Sequence, residues 1–133
     1  MNETPIQITG NLTANPELRY TPTGTAVANL RVATNPRRYD RQSGQWVDGQ
    51  PSYFDVEVWY GPAENVAESL GKGDRVVILG TLRTKTWTPA EGGPERSKFV
   101  VVASEIGTSL RFATAKPVKT ERRDAGETEE PSL

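Results

Sequence analysis

The sequence predicts an all-β domain. Five strands close into a small barrel, one short helix lies between the third and fourth strands, and a disordered tail follows. Three observations carry this. Several stretches alternate apolar and polar residues with period two, as half-buried strands do. Residues 61–71 break that period and are punctuated as a helix. Gly10 and Gly80 interrupt two of the strands at points where a barrel has to bend.

Residues 5–13 (PIQITGNLT) alternate Ile6, Ile8, Gly10 and Leu12 and form the first strand. Residues 14–25 (ANPELRYTPTGT) are rich in Pro, Asn, Thr and Gly and read as a loop with turns. The second strand spans 26–34, with Ala28, Leu30 and Val32 on one face and Asn29 and Arg31 on the other. Residues 35–52 are long and polar, with a turn at Gln42-Ser43-Gly44-Gln45. Structureless loops of this length are uncommon in compact domains, so a protruding hairpin arm is expected.

The third strand is 53–60, YFDVEVWY, with strict alternation. Phe54, Val56, Val58 and Tyr60 form its core face, and Tyr53, Asp55, Glu57 and Trp59 point to solvent. In the helix, Pro62 suits the first position, Glu64 the first turn, and Gly71 the left-handed cap. Residues 74–87 form a long fourth strand. Val76, Val77, Ile78 and Leu79 should be buried on both faces, while Arg83, Lys85 and Trp87 share an exposed face beyond Gly80. Residues 88–96 are a hairpin loop, and 97–106 (SKFVVVASEI) the fifth strand.

Three strands, a helix and two strands is the order of an OB-fold. An antiparallel sandwich or SH3-like barrel is the alternative, and the helix favours the OB-fold. Residues 1–112 read as one domain. Residues 113–133 hold only Val118 and Leu133 as larger aliphatics, too few to fold.

Composition excludes several function classes. Cys and His are both absent, which removes disulfides, thiolate metal sites and the commonest general base. No cofactor or metal is expected. There is no leader-like segment or bilayer-length apolar run, so the expectation is a cytoplasmic, nucleoid-associated protein without membrane contact. The net charge is −1, but Arg31, Arg37, Arg38 and Arg41 cluster against Asp40 alone. Such a run is usually a solvated loop; on a neutral body it also suits a binder that holds its ligand partly by stacking.

Single exposed aromatics on strands are ordinary. Two strands that each show them, one with Arg83 and Lys85 interleaved, form a platform of Tyr53, Trp59 and Trp87 that can stack bases beside phosphate-binding cations. Asp55 and Glu57 share that face at the spacing of paired carboxylates. Without a dense acidic cluster for a metal clamp they are better read as partners of nearby arginines, and no enzyme is expected. An OB module for structured RNA or an oligosaccharide is the second reading.

Residues 10–35 (GNLTANPELRYTPTGTAVANLRVATN), Gly71-Lys72-Gly73-Asp74 and LGTLRTKTW at 79–87 closely resemble bacterial single-stranded DNA-binding proteins, most of all short-tailed actinobacterial members. The resemblance covers roughly residues 4–112. It implies an OB-fold homotetramer that wraps single-stranded DNA without sequence preference, in replication, recombination and repair. It places four stacking positions on Tyr39, Tyr53, Trp59 and Trp87, and family cations on Arg83 and Lys85. Tyr39 and Tyr53 stand where the family often has Trp, and Phe54 where it often has His. The family tail ends in acids and a Pro-Phe tip, whereas this chain ends Glu-Glu-Pro-Ser-Leu. Recruitment of repair and replication enzymes through the tip is therefore not expected.

Overall fold

The computed structural model describes residues 2–121. Its strands are β1 (Pro5–Leu12), β2 (Glu17–Tyr20), β3 (Ala26–Thr34), β4 (Arg37–Asp40), β5 (Gln45–Asp48), β6 (Ser52–Trp59), β7 (Arg75–Trp87) and β8 (Arg96–Thr108). A single helix, α1 (Gly61–Ser69), lies between β6 and β7.

The main sheet runs β1-β7-β8-β6-β3-β2, and β1 also pairs with β3. That last pairing, Asn11↔Ala33 and Leu12↔Val32, closes β1, β3, β6, β8 and β7 into a barrel. All pairs are antiparallel except β6 with β8. This is the five-stranded OB arrangement that the element order predicts, with β2 added on the edge of β3.

Two glycines permit the closure. A Cβ on Gly10 would run into the Ala33 carbonyl oxygen, and one on Gly80 into that of Val102. Backbones approach there more closely than any side chain allows. The β7–β8 register also slips between Leu79 and Gly80, so the bend expected at Gly80 is a bulge.

Ile8, Leu12, Leu30, Val32, Val56, Val58, Val76, Ile78 and Val101 fill the barrel. The helix closes one end with Ala63 and Val66, and Tyr20 Oη donates to Glu64 Oε2 at 2.8 Å to tie β2 to it.

Several expectations need correction. Residues 14–25 are not all loop, since Glu17–Tyr20 pair with Asn29–Ala26 as β2. The free edge of β3 captures a polar segment that has no apolar period of its own. Tyr60 does not continue the core face of β6. It has left the strand with φ +66°, a rare conformation for a non-glycine, and caps the helix. Gly71 is not the left-handed residue; Gly73 is, at φ +91°. The chain leaves the helix extended at Leu70 and turns over Gly71–Asp74, where the Asp74 carboxylate accepts from Gly71 N–H at 2.8 Å. Leu79 is 44% exposed and Val77 half-buried, while Val76 and Ile78 are fully buried. Among the described residues nothing covers the outer face there.

Residues 113–121 carry no helix or strand and are exposed. The rest of the expected tail, 122–133, lies outside the described residues.

Candidate nucleic-acid interface

The barrel wall builds the platform. In the β3–β6 ladder Ala33 faces Tyr53, Arg31 faces Asp55, and Asn29 faces Glu57. In the β7–β8 ladder Lys85 faces Lys98 and Trp87 faces Arg96. The parallel pairing of β6 with β8, Glu57↔Val102, joins the two ladders into one surface. An open cleft of about 470 Å³ runs along it, lined by Asn29, Arg31, Asp55, Glu57, Lys85 and Lys98 among others.

Carboxylates at the centre of this surface hold its cations. Glu57 is buried. Its Oε2 accepts from Lys85 Nζ at 2.9 Å, and its Oε1 from the indole Nε1 of Trp59 at 3.3 Å. Asp55 Oδ2 accepts from Lys98 Nζ at 3.1 Å, and Arg31 lies 3.6 Å from Oδ1. The cations of Asp55 also reach rings. The Arg31 guanidinium stands 4.9 Å from the Tyr53 centroid, and Lys98 Nζ stands 6.0 Å from that of Trp87.

The structure thus brings Arg31, Tyr53, Trp59, Arg83, Lys85 and Trp87 onto one wall of the barrel. Tyr53 is 52% and Trp87 40% exposed, as strand parity predicts. Trp59 and Arg83 depart from that reading. Trp59 is half-buried, because Glu57 draws its indole down and Tyr60 stacks obliquely at 6.5 Å. Arg83 is half-buried opposite Val100, and its Nε is enclosed with no hydrogen-bond partner among the described residues.

Tyr39, Arg37 and Arg38 are not on the wall. They lie on the arm, where β4 and β5 form a separate two-stranded sheet. Tyr39 meets Trp46 edge-on, with centroids 5.7 Å apart. Arg37 pairs with Asp48 at 3.6 Å and donates to the Trp46 carbonyl oxygen at 3.1 Å, while Arg38 is exposed.

Two residues escaped the sequence reading. Lys98 completes the cation set, and the signal was its alternation with Val100 and Val102. Only the register against Lys85 gives that alternation meaning. Trp46 was visible as an aromatic on the arm, but its pairing with Tyr39 needs the hairpin register. Among the described residues no group of three or more acids could hold a metal. With their cations in place, Asp55 and Glu57 form two ion-pair centres and not a free acid–base pair.

Residues 3–109 match the single-strand binding protein family. The chain belongs to this family. It is 50% identical over 120 residues to the single-stranded DNA-binding protein of Mycolicibacterium smegmatis, covering 90% of this chain and 72% of that one. Against the protein of the same name from Paenarthrobacter aurescens it is 48% identical over 122 residues, 92% of this chain and 71% of the other. Single-stranded DNA-binding protein 2 of Streptomyces coelicolor is 46% identical over 124 residues, 93% and 62% of the two lengths. Among solved structures, the small single-stranded DNA-binding protein of Streptomyces coelicolor superposes with a TM-score of 0.69 at 33% identity. That match covers 83% of this chain and 97% of that one. Among the described residues no helix is long and apolar enough to cross a membrane.

Proposed function

We propose that this member of the single-strand binding protein family binds single-stranded DNA without sequence preference, protecting it during replication, recombination and repair. The observation that carries the reading is one barrel wall presenting Tyr53, Trp59 and Trp87 with Arg31, Arg83, Lys85 and Lys98 between them. Aromatic faces stack on any base, and cations track the backbone. Tyr39, Arg37 and Arg38 extend the contact along the arm. Residues 1–112 act as the binding domain. The protein works in the cytoplasm on the nucleoid and is not an enzyme. It assembles as a homotetramer; exposed Leu79 and Phe99 leave apolar surface for neighbouring subunits.

Titration with oligo-dT, the matching duplex and an RNA hairpin tests the reading. Oligo-dT should bind far more tightly than the others and quench tryptophan fluorescence. Equal affinity for duplex, or preference for the hairpin, would reject it.

A further inference from the structure

We propose that Asp55 and Glu57 are resident phosphate mimics, carboxylates that occupy the cation positions of the DNA surface until a phosphodiester replaces them. The inference rests on the single-stranded DNA reading and adds to it a residue pair that sets affinity.

The geometry is particular. Three cations that border the cleft are each held by an acid inside it: Lys85 by Glu57 at 2.9 Å, Lys98 by Asp55 at 3.1 Å, and Arg31 by Asp55 at 3.6 Å. Two of the three also cover a stacking ring, Arg31 at Tyr53 and Lys98 at Trp87. In the free protein a cation therefore takes the place of a base, and a carboxylate the place of a phosphate. Binding becomes an exchange: a base displaces the cation from the ring, and a phosphate displaces the carboxylate from the cation. No covalent bond changes.

Exposed ion pairs generally contribute little to stability. These need not stabilise the fold to matter, because their effect falls on the ligand. A cation already neutralised by a carboxylate has few condensed counterions to displace from DNA. The platform should bind more weakly, and with a shallower salt dependence, than its cation count suggests. The acids also repel a backbone laid flat on the wall, which favours strands that present bases inward.

Asp55→Asn is the test, with Glu17→Gln as control. Glu17 lines the same cleft, and no ion pair is found for it among the described residues. Fluorescence anisotropy of labelled oligo-dT is followed across a salt series for the full chain. Asp55→Asn removes the one negative charge that Arg31 and Lys98 share. At roughly 0.7 per phosphate on single strands, the slope of log K against log salt should steepen by about 0.7 and affinity near 0.1 M salt should rise about fivefold. Glu17→Gln should give no such slope change. Glu57→Gln, which retains an acceptor for the Trp59 indole, should steepen the slope by about as much. It also supplies the answer if Asp55→Asn melts early by circular dichroism. Unchanged affinity and slope in both variants, or an equal gain in Glu17→Gln, overturns the inference while leaving the DNA reading intact. Absence of oligo-dT binding by the unmodified protein would instead remove the reading beneath it.

Discussion

Trp59 and Glu57 are two residues apart on one strand, and the indole Nε1 of Trp59 donates to Glu57 Oε1 at 3.3 Å. The other oxygen of the same carboxylate holds Lys85. One buried acid thus orients both an indole of the platform and a cation beside it. On the far side of the wall Lys98 stands over the Trp87 ring, and among the described residues no hydrogen bond anchors that indole. The two tryptophans should behave differently when removed.

Trp59→Ala and Trp87→Ala should each weaken oligo-dT binding by about 1–3 kcal/mol, the range for one stacked base. Trp59→Ala should also lower the melting temperature, since its ring is half-buried and its removal leaves Glu57 Oε1 unpaired. Trp87→Ala should melt like the unmodified protein. Titration and thermal melts of the two variants, side by side, check both halves.

Arg38→Ala and Lys85→Ala should separate a free cation from a held one. Arg38 is exposed on the arm, so its loss should flatten the salt slope by about 0.7. Lys85 sits on Glu57, so its loss should flatten the slope by less. Equal flattening would mean that Glu57 does not screen Lys85.

Trp46→Ala should disable the arm without touching the barrel. A two-stranded hairpin is marginal alone, and the Tyr39–Trp46 pair contributes about 0.5–1.5 kcal/mol to it. Because β4 and β5 form a two-stranded sheet of their own among the described residues, the global melting temperature should hold while Tyr39 loses its fixed position. Amide exchange over 37–48 should accelerate, and DNA affinity should fall modestly.

Gly80→Ala should destabilise the fold by about 1–3 kcal/mol, the usual cost of overpacking. The added methyl meets the Val102 carbonyl oxygen and lies 3.0 Å from Val101 Cγ1. Urea denaturation gives the value, and an unchanged midpoint would mean that the bulge relaxes freely.

Light scattering on the free protein should give the mass of four chains at micromolar concentration. Replacing exposed Leu79 by Asp should shift that mass downward if the outer face of β7 lies between subunits. A monomer mass for the unmodified chain would reject the tetramer.

The amino-acid sequence by itself determined the barrel, the helix, the arm and the aromatics of the platform. Each rests on a local signal: period two in β3 and β6, Pro62 at the helix start, Ser43-Gly44 at the arm's turn, and an aromatic on the polar face of a strand. Tertiary structure alone decided which of those residues are free to act. Strand parity puts Glu57 and Trp59 on the solvent side, yet Glu57 is buried and Trp59 half-buried, because β8 pairs parallel with β6 and sets Val102 beside Glu57, whose carboxylate in turn holds the Trp59 indole. Parity likewise makes Lys85 a free cation, but the carboxylate that holds it is 28 residues away in the chain. β2 appears only because β3 offers it an open edge. Local periodicity reports which way a side chain points. What it meets there depends on strands that are distant in sequence, and that is settled only when the barrel closes.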